Sequence, residues 1–240
     1  MAELGDFVPA PNQGGNPELY EVENLAIDRE GALYAALWEA AHWDNKRLVD
    51  LGCGSGFWLP RYLAEAASVV GVEPDPALVP LAAARHPAAE VLRGSAEHLP
   101  LPDSSVDVVH ARFAYFFPPG CDAGLAEVLR VLRPGGTLVV IDNDQRHGEF
   151  AALLAESPWA AAQGRPDVTD AWWEERGAMR REVMSSWRFD RREDFERVLR
   201  LEMPGEVADP WLASHPGALG LSYGYLLFVL GAPTNDAATH

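Results

Sequence analysis

Val49-Asp-Leu-Gly-Cys-Gly-Ser-Gly-Phe57 is the stretch that decides the fold class. It joins a short apolar strand at 47–50 to a helix expected over 57–67. Gly52 and Gly54 supply a tight turn and remove side chains, so a ligand can lie against backbone. Gly56 lets the helix start close to the sheet, and a helix start offers free N–H donors. The same rhythm then repeats downstream. Strands are expected at 68–73, 90–93, 106–110 and 137–141, with helices at 76–86 and 122–132. Pro76 suits a first helical turn, where its missing N–H costs nothing. Arg133-Pro-Gly-Gly136 stops the later helix. Continuously apolar strands alternating with helices indicate a parallel sheet covered on both faces, and right-handed crossovers make it doubly wound.

Outside this core the pattern loosens. Residues 1–18, rich in Pro, Gly and Asn, read as a flexible arm. A helical cap is expected over 19–43, with Leu33, Leu37 and Ala41 at every fourth residue and Asp28 as its N-cap. After 142, helices are expected at 148–156, 170–184, 191–201 and 207–214, with strands at 186–189 and 225–230. No crossover helix follows that last strand into a parallel neighbour, so it is expected to run antiparallel. The expected architecture is therefore an α/β, Rossmann-like seven-stranded sheet. The division expected is an N-terminal cap (19–44), a cofactor-binding core (45–142), a variable acceptor or lid region (143–184) and C-terminal strands and helices (185–232) in one domain, then a tail (233–240).

The 240 residues are 48% hydrophobic and 23% charged, which excludes disordered and collagen-like classes. Thirty-six acidic residues against 19 Lys and Arg give a net charge of −17, and Lys46 is the one lysine. A nucleic-acid backbone needs a cationic surface, so that partner is not expected. No stretch reaches the roughly 18 apolar residues that span a bilayer. Cys53 and Cys121 are too few for a disulfide framework, which fits a reducing cytoplasm. A monomer or homodimer is expected.

Chemistry begins at the loop. Glu73 closes the second strand about 20 residues on, where a carboxylate can accept both hydroxyl hydrogens of a ribose. Two adenosyl cofactors suit that geometry. A dinucleotide calls for G-x-G-x-x-G, and Phe57 stands in place of the last glycine. Asp50, at the strand end, would repel a pyrophosphate. S-adenosylmethionine carries no phosphate and a net positive charge, so it gains from Asp50. With Arg93-Gly-Ser-Ala-Glu-His-Leu-Pro-Leu-Pro-Asp103, Val106-Asp-Val-Val109 and Val131-Leu-Arg-Pro-Gly-Gly136 in order, residues 45–142 resemble the class I S-adenosylmethionine-dependent methyltransferases, nearest the ubiquinone- and menaquinone-biosynthesis branch.

The resemblance implies a last strand that is antiparallel. It also implies that Gly52, Gly54 and Gly56 approach the cofactor, that Asp50 faces its methionine end and that Glu73 holds the ribose. Where the family often carries Gly-Asp-Ala, this chain has Gly94-Ser95-Ala96. Ser95 then accepts the adenine amino group more weakly than a carboxylate, Ala96 offers its N–H, and Glu97 is a spare acceptor. Arg112 completes the cofactor-facing set.

The acceptor is expected beyond the fourth and fifth strands. His147 is the candidate base, with Asp142 or Asp144 to serve or orient it; as an alternative, the two Asp cap a helix and His147 is a surface residue. His110 reads as a hydrogen-bonded wall residue. Phe113, Tyr115, Phe116 and Phe117 either line an apolar pocket or pack the core. Trp38, Trp43, Trp159, Trp172 and Trp173 suggest an apolar contact surface or helix packing. Asp142-Asn143 is similar to the metal-binding pair of catechol-type O-methyltransferases, but Arg112 occupies the place of their second Asp and opposes Mg²⁺, so no metal is expected. The leading reading is a small-molecule methyltransferase; an NAD-binding oxidoreductase and a non-catalytic S-adenosylmethionine-binding protein remain the alternatives.

Overall fold

The computed structural model describes residues 16–158 and 165–234. Residues 1–15 of the expected arm, Trp159 and the tail from 235 lie outside them. In chain order the elements are α1 (Pro17–Ala26), α2 (Ala32–Ala40), β1 (Arg47–Leu51), α3 (Leu59–Leu63), β2 (Ser68–Glu73) and α4 (Val79–Arg85). Then follow β3 (Glu90–Arg93), β4 (Val106–Arg112), α5 (Asp122–Val131), β5 (Leu132–Asn143), α6 (Glu149–Glu156) and α7 (Pro166–Glu174). β6 (Met179–Arg188), α8 (Arg192–Glu202), α9 (Gly205–Ser214) and β7 (Gly220–Gly231) complete them.

The seven strands form one sheet in the order β3-β2-β1-β4-β5-β7-β6. β1 to β5 pair in parallel, and β7 runs antiparallel to both β5 and β6. Strand order reverses between β1 and β4, so their following loops leave toward opposite faces and open a crevice. Alternation along the strands feeds two cores. Leu48, Val108 and Ile141 pack with Trp43, Tyr62 and Trp187 on one face. Val49, Val109 and Val140 pack with Leu125, Trp173 and Phe228 on the other. Continuous apolar strands are what such two-sided burial requires.

Several boundaries differ from expectation, each for a local reason. The helix expected at 19–43 is two helices, broken at Asp28 (φ 52°) and Gly31 (φ 78°). Asp28 still caps, from three residues upstream of Gly31, since its carboxylate accepts the N–H groups of Leu33 and Tyr34, both at 2.9 Å. The helices at 57–67 and 76–86 shrink to α3 and α4. Asp75 turns the chain by accepting the Ala77 N–H at 2.8 Å, so Pro80 rather than Pro76 sits in the first turn. The helix expected at 170–184 ends after Glu174, and Gly177 (φ 75°) reverses the chain into β6. There Met179–Arg188 finds ten backbone partners along β7, which outweighs the helical spacing of its side chains. The α1–α2 turn covers part of that edge strand through the Ile27–Trp187 bridge.

Asp28 ties these parts together, because Ser185 Oγ on β6 also donates to it, at 2.6 Å. Asp28→Ala strands two first-turn N–H groups and the half-buried Ser185 hydroxyl. The expected loss is about 2–4 kcal/mol of unfolding free energy. Urea titration checks this, and a change below about 0.5 kcal/mol, the ordinary surface range, contradicts it.

Candidate functional site

The glycine loop sits at the reversal point, between the ends of β1 and β2. A Cβ on Gly52 (φ 72°) would lie 2.5 Å from the Ala114 Cβ, so the loop and the segment after β4 touch through hydrogen alone. Gly56 (φ 79°) leaves a Cβ only 3.0–3.2 Å from Leu59 and Ala82. The loop's donors are largely used internally. Gly52 and Cys53 N–H bond to the Val72 carbonyl, and Gly56 N–H to that of Cys53. Glu73 Oε2 takes the Gly54 N–H at 2.8 Å, while its Oε1 takes that of Asp75 at 2.9 Å. The expected nest of free N–H groups is therefore not formed by these four residues, and α3 begins only at Leu59. Phosphate loses its usual reception, whereas each Glu73 oxygen keeps a second lone pair.

Asp50 and Glu73 are 3% and 5% exposed. Burial pushes the Asp50 carboxyl up to about 6; Arg112 opposes that shift and Glu73 adds to it. Glu73 is also raised by burial, with its two backbone N–H bonds pulling the other way. Arg112, at the end of β4, lies 4.8 Å above the Trp58 ring and donates to Asn24 Oδ1 at 3.3 Å. Ser95 and Ala96 are buried beside this region, where Gly94 N–H meets the Glu73 carbonyl. Glu97 is not spare, since it accepts the Tyr115 hydroxyl at 2.8 Å. The expected cofactor-facing residues thus come together around one crevice.

The structure adds residues that motif reading missed. α1 lies across the loop. Its Glu21 Oε1 accepts from Ser55 Oγ at 2.8 Å and from Arg85 at 2.9 Å. Glu23 and Asn24 are buried on the same helix. Trp58, packed between Arg61 and Arg112, is a second addition. Polar residues on the apolar stripe of α1 were the available signal.

On the acceptor side, His147 Nδ1 and Asp144 Oδ2 are 2.7 Å apart. Asp144 is 3% exposed and the His147 side chain 53%, so a buried carboxylate orients a half-exposed ring. Asp142 instead accepts the Asn143 N–H at 2.7 Å, and burial lifts its carboxyl to about 6. Asp144, His147 and Glu182 place one potential metal-ligand atom each within 4.8 Å of one another. Both carboxylates are already engaged, Asp144 also by the Arg146 N–H and Glu182 by Arg180. His110 is a correction: it is fully buried between Trp43 and Tyr62, both rings 5.3 Å away, and neither ring nitrogen finds a partner. Burial lowers its pKa to about 3 and keeps it neutral. The aromatic run splits. Phe116 packs on Trp173, Tyr115 braces Gly124 and Glu97, Phe117 is exposed, and Phe113 stands 6.0 Å from Tyr225.

Residues 49–140 match a family model described as a methyltransferase domain. An uncharacterised methyltransferase of Mycobacterium tuberculosis is 39% identical over 105 residues, 43% of each chain. The phthiotriol/phenolphthiotriol dimycocerosates methyltransferase of Mycobacterium leprae is 39% identical over 132 residues, 52% of this chain and 48% of that protein. The chain thus matches less than half the length of these relatives. A SAM-dependent methyltransferase from Aquifex aeolicus superposes with a TM-score of 0.55 at 16% identity, covering 88% of this chain and 97% of that one; at that identity the likeness is one of fold.

The raised Asp50 carboxyl has a measurable consequence. Its folded pKa of about 6 exceeds the ordinary 3.8, so its burial penalty is absent below pH 4 and complete above pH 6. Two units correspond to roughly 3 kcal/mol as an upper figure. Asp50→Asn is therefore expected to be more stable than the parent at pH 7.5, by about 1–3 kcal/mol, with the difference vanishing near pH 4. Denaturant curves across pH check this; a variant less stable at pH 7.5 contradicts it.

Proposed function

We propose, from the match of residues 49–140 to a methyltransferase domain, that the protein transfers a methyl group from S-adenosylmethionine to a small-molecule acceptor, without a metal. The observation that carries this is the pair of buried carboxylates, Asp50 and Glu73, flanking a glycine loop whose Gly52, Cys53, Gly54 and Gly56 N–H groups are used internally. That arrangement repels pyrophosphate, which argues against the nicotinamide alternative, and attracts a ligand of net positive charge.

The residues present fit the cofactor. Gly52 and Gly56, packed closely on Ala114 and on Leu59 and Ala82, would fix the path of the loop along which it lies. Glu73 would take the ribose hydroxyls on its remaining lone pairs. Ser95 and Ala96 would border the adenine. Asp50 and Arg112, of opposite charge, would divide the ammonium and carboxylate of the methionine end. When bound, the cofactor supplies a methyl group already activated on a sulfonium. The chain's own contribution would be positioning, beside the α1 helix that Glu21 ties to the loop. For an acceptor that must lose a proton, His147 Nε2 would take it while Asp144 holds Nδ1. Arg180, paired with Glu182, opposes a cation there and favours the metal-free reading.

Calorimetry is expected to show S-adenosylmethionine and S-adenosylhomocysteine binding in the micromolar range, with no heat from NAD. Glu73→Ala removes charge-assisted bonds worth ~1.5–3 kcal/mol each and is expected to weaken binding at least tenfold. Tight NAD binding, or an unchanged affinity in a folded Glu73→Ala variant, contradicts the assignment.

Once an acceptor is in hand, EDTA is expected to leave turnover intact. His147→Ala is expected to slow a hydroxyl acceptor by up to ~10²–10⁴. Activity lost in EDTA and restored by Mg²⁺ refutes the metal-free reading, and a hydroxyl acceptor unaffected by His147→Ala refutes the base.

A further inference from the structure

The inward face of α1 breaks the rule that a packed helix buries its apolar stripe. Leu19 and Ala26 obey it, but between them Glu23 and Asn24 are 7% and 2% exposed. Asn24 is accounted for: its Nδ2 donates to the Tyr20 carbonyl at 3.0 Å and its Oδ1 accepts from Arg112. Glu23 is not, because its Oε2 is buried and has no hydrogen-bond partner. A buried carboxyl oxygen with no partner is costly, and it disfavours the charged form until a cation arrives.

The surroundings of Glu23 make that cost larger. α1 packs on α8, whose last residue, Glu202, repels Glu23. Burial and Glu202 together push the Glu23 carboxyl well above the usual range, with Arg112 opposing them. The start of β7 closes the other side. Tyr223 and Tyr225 stack at 4.7 Å, Phe113 adjoins Tyr225, and the Tyr223 hydroxyl bonds Asn143 Oδ1 at 2.6 Å. Tyr223 feels the charges of Glu23, Glu202 and Asp142 together. Phe150 stacks on the other side of Tyr223 at 4.1 Å, so the two acidic groups lie beside an aromatic cluster whose partly exposed member is Phe113, where the ends of β4 and β5 meet the start of β7. Carboxylates with aromatic faces are the chemistry that recognises an organic cation.

We propose that this cluster anchors the methyl acceptor and that the acceptor is a small amine, its ammonium held by Glu23 and Glu202 and its apolar body against the partly exposed Phe113. The proposal rests on the methyltransferase reading and names its substrate class. A cation between the two carboxylates relieves their repulsion, supplies the partner that Glu23 Oε2 lacks, and leaves the methylated atom to the rest of the pocket. An anionic acceptor would meet Glu23, Glu202 and Asp142 with Arg112 as its main compensation.

Calorimetry on the full chain saturated with S-adenosylhomocysteine, using phenethylamine, phenethyl alcohol and phenylpropionate as probes, tests the anchor. The amine is expected to bind at least tenfold more tightly than the alcohol or the acid. Glu23→Gln is expected to lower amine affinity at least tenfold, leave S-adenosylhomocysteine affinity unchanged, and melt no lower than the parent. A carboxylate kept for structure would lower the melting temperature instead. Glu202→Gln, at a half-buried position, is expected to weaken the amine in the same direction. Equal binding of the alcohol or acid, no amine binding at millimolar concentration, or an indifferent Glu23→Gln overturns the proposal. Failure of S-adenosylhomocysteine to bind, with amine selectivity intact on the free protein, removes the methyl-donor reading and leaves a cation site.

Discussion

Asp50 and Glu73 end β1 and β2, neighbouring parallel strands, and both carboxyl groups are buried at the point where the sheet reverses its order. Two acids so placed in a low-dielectric crevice repel each other and lose hydration, so the structure around them is arranged to hold them. Glu73 is satisfied by the glycine loop itself, through the Gly54 and Asp75 N–H groups. Asp50 is offset by Arg112, which Trp58 and Asn24 in turn position. The loop conformation, the end of β4 and the seating of α1 all follow from keeping those two charges in place.

Much of this was legible in the chain, for identifiable reasons. The apolar runs at Leu48, Val70, Val109 and Val139 could only serve strands covered on both faces, and the glycine loop marks the reversal point. Asp50, Glu73, Ser95, Ala96 and Arg112 stood out as candidates because each lies at or just past the C-terminal end of a strand, where doubly wound sheets collect ligands. The limits were just as physical. Periodicity could not locate Met179–Met184, since the ten-residue pairing with β7 outweighs local spacing. Nor could it show that Tyr115 braces Gly124 instead of lining a pocket, or that His110 sits between two rings without a partner. The partners of Glu23, Asn24 and Glu202 lie far apart in sequence, so their convergence is a property of the fold alone.

α1 separates two kinds of work. Glu21 latches it to Ser55 and Arg85 on the cofactor side, and Asn24 joins it to Arg112 at the centre. Glu23 turns toward α8 and β7, the side where an acceptor would enter. Under the proposed reading, one short helix would adjoin both the cofactor and the acceptor. That placement explains why its buried face is polar when packing alone would have made it apolar.

A crystal structure with S-adenosylhomocysteine tests the central claim most directly. The account predicts the ribose hydroxyls on Glu73, the amino-acid end between Asp50 and Arg112, and the sulfur directed toward the ends of β4 and β5. A ligand bound elsewhere, or lying over the loop with no contact to Glu73 or Asp50, would contradict it.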